Sequence, residues 1–293
     1  MEKSKSLDFS IMLVFWSLVR NSVVLAVYFL FSVACFFTVH EYWIMELSEF
    51  FCGHPKAALG FSGGVDSAYL LYEGIKSGAD IRPYFIRTPF QLAFELADAR
   101  KLAKELQVEL SVIEYDILSC PEVAANPADR CYRCKAALFG ILKEKVGEDG
   151  YSLLLDGTNA SDLNSDRPGM RALKELKVCS PLRDCGLTKQ EIRRLSQEAG
   201  LFTWNKPAYA CLATRVPAGG FLDRELLQKI ERAENLLFSM GFSDFRVRIF
   251  HEAARVQLPE GQMAWFMERK KEIVMALKAD FPAVLLDMEG RKS

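Results

Sequence analysis

The stretch Ser62-Gly63-Gly64-Val65-Asp66-Ser67 constrains this chain more than any other. A short apolar run, Ala57–Phe61, leads into it, and an amphipathic segment from Ala68 to Tyr72 leads out. That order spells a strand, a tight glycine turn and a helix start. Two residues without Cβ let backbone N–H groups come close to an anion, and the helix N-terminus adds partial positive charge. Ser62 and Ser67 add hydroxyl donors. Asp66 repels phosphate, so it either holds Mg²⁺ or caps the helix. A Walker loop would end in Gly-Lys-Ser/Thr, which is absent. The motif reads as a pyrophosphate cradle; the plainer alternative is a Gly-Gly turn joining strand to helix.

The flanks support the cradle because strand and helix signals alternate after Met45. Apolar runs at Ala57–Phe61, Ile81–Ile86, Leu110–Tyr115 and Tyr151–Leu155 have the length of buried parallel strands. Helical segments fall at Val65–Lys76, Phe90–Leu106, Cys131–Val146 and Thr188–Ala199, the last opening on an approximate capping box. The pattern predicts an α/β fold with a doubly wound parallel sheet and the glycine loop after its first strand, where such folds bind ligands. Pro217-Ala218-Gly219-Gly220 reads as a hinge. Beyond it, helices over Leu222–Met240 and Gln262–Ala279 alternate with strands over Phe245–Phe250, Ala254–Leu258 and Ala283–Met288, a smaller α+β unit. The expected division is therefore 1–44, 45–216 and 217–293.

At 293 residues with a formal charge of -1, the chain offers no general attraction for nucleic acid, and none is expected as a partner. Eight irregularly spaced cysteines argue for functional thiols in a reducing interior, hence a cytoplasmic setting. The first 44 residues are a separate matter. Ile11 to Val39 is apolar apart from a break around Arg20-Asn21-Ser22, long enough to span a bilayer. No small-x-small cleavage site follows it. Two readings stand: a membrane anchor, or a gene start set upstream of the true one at Met45. The second is favoured, because Lys3 and Lys5 would keep the N-terminus inside and send the catalytic part away from ATP.

Three further stretches carry chemistry. Cys131-Tyr132-Arg133-Cys134 places two thiols within one helical turn, suited to a metal, a cluster or redox exchange, and Arg130, Arg133 and Lys135 are expected to lower their pKa. The other reading is two half-buried structural cysteines. Asp156-Gly157-Thr158-Asn159, with Asp162 and Asp166 after it, ends the fourth strand on the ligand side of the sheet; these are also ordinary turn formers. Trp204 to Pro217 sets a lone Cys211 in an interdomain loop, with Lys206 and Arg215 expected to stabilise its thiolate. A lone cysteine otherwise serves as a small core residue.

Ser-Gly-Gly-Val-Asp-Ser resembles the PP-loop of ATP pyrophosphatases. Together with Cys131/Cys134, Asp156–Asn159, Arg167-Pro168-Gly169-Met170-Arg171-Ala172, Ser180-Pro181-Leu182 and Ala210-Cys211-Leu212-Ala213-Thr214-Arg215, it is similar to the LarE family over Met45 to Gly290. That resemblance implies an ATP-dependent sulfur transferase that adenylates a carboxylate of a pyridinium biscarboxylate mononucleotide and makes a thiocarboxylate. The product belongs to nickel-pincer nucleotide synthesis for lactate racemase. It implies ATP held by Ser62, Gly63, Gly64, Asp66 and Ser67, with Mg²⁺ on Asp66. Cys211 matches the sulfur-donor cysteine, and Glu234, Arg246 and Arg248, with Arg215, match the pocket for the substrate phosphate. An Arg-x-Arg on a strand points both guanidiniums to one side. The family divides between a sacrificial cysteine and a three-cysteine [4Fe-4S] cluster. Cys131, Cys134 and Cys211 together favour the cluster. Gln257 stands where a second metal would want an acid. A homo-oligomer is expected. The rival readings are a tRNA thiolase of the same superfamily and a membrane-tethered nucleotide sensor.

Overall fold

The computed structural model describes residues 45–162, 168–207 and 209–291. The expectations placed on residues 1–44, on Asp166 and on Arg167 lie outside them. From Met45 onward the chain clusters as one compact unit.

Four strands build the main sheet: β1 (Lys56–Gly60), β2 (Asp80–Arg87), β3 (Ser111–Glu114) and β4 (Leu154–Leu155). All pairings are parallel, in the order β3-β2-β1-β4. Alternation along β1 sorts its side chains to two cores. Ala57 and Leu59 face helices α1 (Leu47–Gly53), α2 (Val65–Lys76) and α3 (Ala93–Glu105), packing with Phe51, Leu70, Leu71, Ala99 and Leu102. Ala58 faces the other side, against Leu142 and Val146 of α4 (Arg130–Glu148) and Leu173 of α5 (Pro168–Glu175). Both faces of the sheet are covered, as the continuous apolar runs require. The chain order reverses beside β1, with β2 on one flank and β4 on the other. That makes the C-terminal ends of β1 and β4 the ligand crevice of the fold.

The fourth strand is shorter than the apolar run suggested. Its edge is extended by a single bridge from Leu155 to Cys179. Helix α6 (Lys189–Glu198) follows, and its capping box is real: Thr188 Oγ1 accepts the Glu191 N–H at 3.3 Å and Glu191 accepts the Thr188 N–H at 2.9 Å.

The second sheet pairs β5 (Arg246–Phe250) antiparallel to β6 (Ala253–Gln257), and β6 parallel to β7 (Val284–Leu286). Helix α7 (Arg224–Ser239) lays Leu227, Ile230, Ala233 and Leu237 on it. Glu234 sits in the same buried stripe, which marks it at once as a polar group needing partners. The single helix expected over Gln262–Ala279 is two, α8 (Glu260–Glu268) and α9 (Lys270–Leu277). Arg269 lies between them, and its guanidinium bonds the Met240 carbonyl at 3.0 Å, holding the break against the end of α7.

The expected hinge at Pro217–Gly220 is tied down. Gly219 N–H donates to the Asn126 carbonyl and Leu222 N–H to the Ala124 carbonyl, both at 2.8 Å, and Asn126 Nδ2 reaches the Pro217 carbonyl at 2.8 Å. Among the described residues no helix is long and apolar enough to cross a membrane.

Candidate active site

The glycine loop closes on itself at the C-terminal end of β1. Gly64 caps α2, and Gly63 takes φ +66°, a conformation that favours glycine. Ser62 Oγ accepts the Gly64 N–H at 3.3 Å and lies 3.1 Å from Ser67 Oγ, whose hydroxyl donates to the Gly64 carbonyl at 3.2 Å. The two serines shape the turn, leaving the helix N-terminus open to the cleft. Since Gly64 holds the cap position, Asp66 does not cap the helix. Its carboxylate turns to the cleft, where it meets Lys189 Nζ at 2.5 Å and Asn159 Nδ2 at 3.3 Å.

Asn159 belongs to the loop after β4, which rides directly on the glycine loop. A Cβ on Gly157 would stand 3.0 Å from Ser67 N and 3.4 Å from Asp66 Cβ. Substituting Gly157→Ala is therefore expected to push the loop out of register and cut kcat/KM for ATP about a hundredfold, the scale of a 1 Å misplacement. Circular dichroism should show an intact fold. Asp156 faces inward: it is buried and accepts hydroxyl hydrogens from Thr158 at 2.5 Å and Ser180 at 2.6 Å. It organises the loop, and Asn159 is the member that touches the cleft residues.

Two lysines complete the cleft, which has a volume of about 180 Å³. Lys189 enters from the first residue of α6. Lys206 bonds the Gly63 carbonyl at 3.2 Å and Asp98 at 2.7 Å. Lys206 thus serves the glycine loop, where proximity in sequence had assigned it to Cys211. Lys189 lies inside the Thr188–Glu191 capping box, a local helix signal that says nothing of the cleft its side chain reaches. Its position as the first helical residue of a segment following the DGTN loop was the available signal. A neighbouring apolar hollow of about 130 Å³ is lined by Phe61, Phe85, Leu138, Phe139 and Leu142, a flat-sided site suited to a purine.

The segment that starts at Lys206 carries on to the thiols. Lys206, Pro207 and Tyr209 line the cleft. Leu212 N–H then donates to the Phe90 carbonyl at 2.8 Å, docking Cys211 beside the end of β2. Cys211 and Cys131 lie near enough to Cys134 to raise its pKa, and Cys131 likewise raises that of Cys211. Burial, the larger cause, pushes Cys134 up to about 12 and Cys211 above its ordinary value. The expected lowering is thus overturned by desolvation. Arg130 and Arg215 oppose it at Cys211, Arg130 also at Cys134. Arg133, by contrast, is spent on Asp129 and Glu122 at 3.0 and 2.6 Å. Arg130 Nη2 approaches Cys131 Sγ at 3.7 Å. Among the described residues no group of three or more His, Cys, Asp or Glu is arranged to hold a metal ion.

Arg215 and Glu234 form a buried bidentate pair, Nε to Oε1 at 2.7 Å and Nη2 to Oε2 at 3.0 Å, with both side chains sealed from solvent. Arg215 Nη1 also bonds the Ala210 carbonyl at 2.9 Å, and Glu234 Oε1 accepts the Val247 N–H at 3.0 Å. The pair therefore ties the Cys211 loop to α7 and β5. Arg246 and Arg248 leave β5 on the face opposite Val247. Desolvation and the nearby Arg215 pull the Arg246 pKa down to about 10 and lower that of Arg248. Crowded cations of this kind are suited to an anion. Arg248 bonds the Thr214 carbonyl at 2.7 Å and opens onto a cavity of about 280 Å³ shared with Arg130 and Cys131. Gln257 bridges Arg248 and Asp287, at 2.5 and 2.7 Å.

A parallel sheet with a glycine-loop anion cradle at its switch point defines an ATP-using α/β enzyme of the PP-loop superfamily. Comparison with known proteins sharpens this. The chain belongs to the LarE family of ATP-dependent sulfur transferases. It is 30% identical over 241 residues to the pyridinium-3,5-bisthiocarboxylic acid mononucleotide synthase of Lactiplantibacillus plantarum, covering 81% of this chain and 87% of that one. It is 35% identical over 254 residues to an uncharacterized protein of Synechocystis, covering 85% and 94% of the two chains. The tRNA-specific 2-thiouridylase MnmA of Thermotoga maritima is more distant, at 25% over 195 residues, 52% and 54% of the two chains. No family model matches.

Proposed function

We propose that this enzyme adenylates a carboxylate of a pyridinium biscarboxylate mononucleotide and replaces one carboxylate oxygen with sulfur, a step toward the nickel-pincer nucleotide. The observation that carries it is the single segment from Lys206 to Arg215. It lines the nucleotide cleft at one end, presents Cys211 in the middle, and ends in the guanidinium bound to Glu234. Activation and sulfur delivery are thus built on one strap.

In the first step a carboxylate oxygen attacks the α-phosphorus of ATP, giving an acyl-adenylate and pyrophosphate. The open N-terminus of α2, Lys189 and Lys206 neutralise the pyrophosphate. Mg²⁺ fits here, because a hard cation held by one carboxylate plus substrate phosphates needs only Asp66 from the protein. Mg²⁺ would supply charge neutralisation on the phosphates, and Lys189 would pass from Asp66 to a phosphate oxygen. Arg246 and Arg248 hold the phosphate of the substrate nucleotide.

In the second step the Cys211 thiolate attacks the acyl carbon and AMP leaves. Cleavage of the Cβ–S bond with loss of the Cα proton then yields a thiocarboxylate and dehydroalanine at 211. Cys131, Cys134 and Cys211 also match a [4Fe-4S] cluster in number and softness, three thiolates leaving one iron open. Bound, such a cluster would supply a sulfide from that iron and spare the protein. The proximity of Cys131 and Cys211 to Cys134 supports the cluster.

Anaerobic purification followed by iron and sulfide analysis decides between the two sources. Bound iron and sulfide lost in Cys131→Ala, with multiple turnovers, is the cluster result. An iron-free enzyme whose Cys211 loses the mass of hydrogen sulfide after one turnover is the sacrificial result. Consumption of ATP to AMP that depends on tRNA, and not on the pyridinium nucleotide, would overturn the proposal in favour of a thiolase like the Thermotoga relative.

A further inference from the structure

Two hollows meet beside the glycine loop, and only two side-chain positions are shared between them. The polar cleft is lined by Ser62, Asp66, Lys189 and Lys206, and the apolar hollow by Phe61, Phe85, Leu138 and Phe139. Ser62 and Glu95 line both. A nucleotide with its phosphates in the first and its base in the second must pass its ribose through this junction, because the sugar lies covalently between them. Ser62 is occupied in shaping the loop. That leaves the Glu95 carboxyl facing the sugar.

We propose that Glu95 accepts the ribose hydroxyls of ATP and so sets the preference for ribonucleotides over deoxyribonucleotides. Its place on α3 makes this possible. As the third residue of the helix it turns back toward Leu92, whose N–H reaches Oε1 at 3.4 Å. Among the described residues no other hydrogen bond to the Glu95 carboxyl is formed, so most of its acceptor capacity points at the junction. A carboxylate presents two oxygens, which suits paired hydroxyls on adjacent carbons. Burial pushes the Glu95 pKa up to about 7; Lys206 and Arg215 draw it down, and Asp98 raises it. Partial protonation near neutrality softens repulsion from the triphosphate while leaving hydrogen bonding intact. A merely structural carboxyl at a helix start has no reason to line both cavities.

The inference rests on ATP being the nucleotide of this site, and the test separates the two. Affinities for ATP, 2′-deoxy-ATP and 3′-deoxy-ATP are measured by calorimetry with Mg²⁺ on the wild type, Glu95→Gln and Glu95→Ala. The wild type is expected to favour ATP over at least one deoxy analogue by roughly tenfold or more, the worth of a hydrogen bond to a charged group. Glu95→Ala should lose that preference to within about twofold by weakening ATP alone, and Glu95→Gln should keep part of it. A wild type that treats all three alike, or a Glu95→Ala variant that keeps the full preference, overturns the role of Glu95 and leaves the ATP site standing. A wild type that binds no adenine nucleotide overturns the ATP reading itself. Thermal melts of both variants establish that they are folded, and the more conservative Glu95→Gln carries the test if Glu95→Ala melts early.

Discussion

Cys211→Ala is expected to lower thiocarboxylate formation on the order of 10⁴-fold or more, the scale on which removing a nucleophile acts. Adenylation should survive. The groups proposed to bind phosphate lie on the glycine loop, α6 and Lys206, and Cys211 forms none of their contacts. Substrate-dependent exchange of pyrophosphate into ATP is therefore expected to stay within about threefold of wild type. Serine at 211 should behave like alanine for sulfur transfer, since an oxygen cannot be given up as sulfur. Mass spectrometry of the product and an exchange assay read the two steps separately. Loss of both steps together would mean that the cysteine segment is needed to assemble the nucleotide cleft, and the division of labour would fail.

Glu234→Gln is expected to be the most destabilising conservative change around the second sheet. The carboxylate is 1% exposed and takes two bonds from Arg215 and one from Val247. Glutamine keeps one acceptor oxygen but leaves the guanidinium as an uncompensated charge in a sealed site. Breaking such a pair costs about 3–5 kcal/mol. For a unit of this size each kcal/mol moves Tm by about 2–4 °C, so a fall of roughly 6–20 °C is expected. The double variant Arg215→Met/Glu234→Leu should recover a large part of that loss, because it removes both charges at once. It should still be impaired in sulfur transfer, since the guanidinium that holds the Ala210 carbonyl next to Cys211 is gone. A single variant that melts like wild type would show the pair to be far wetter than its geometry indicates.

Much of the parallel sheet was legible in the chain because buried parallel strands are short, continuous and apolar, and they alternate with longer amphipathic runs. The glycine loop was legible for a different reason: its demands on backbone conformation leave few residue types at Gly63 and Gly64. Helix α5 and the break at Arg269 were not. The first is short and follows turn formers, so its Met170/Leu173 spacing covers too few turns to stand out, and the second depends on the Met240 carbonyl, which is distant in sequence. The lowered thiol pKa values failed for a related reason. Neighbouring cations can be counted along a chain, whereas burial of Cys134 and Cys211 cannot.

The same division runs through the site. Sequence by itself determined the chemistry that the residues offer: a cradle for pyrophosphate, an acid beside it, three thiols in two segments, and an Arg-x-Arg on one strand face. These are local properties, set by side-chain type and by spacing within a turn or a strand. Only the tertiary structure decided who partners whom. It sent Lys206 to Gly63 and Asp98, brought Lys189 onto Asp66, sealed Glu234 against Arg215, and set Glu95 at the meeting of two cavities. Such pairings join residues far apart in the chain. Their free energies depend on distance and desolvation, which exist only once the sheet and its helices have closed around them.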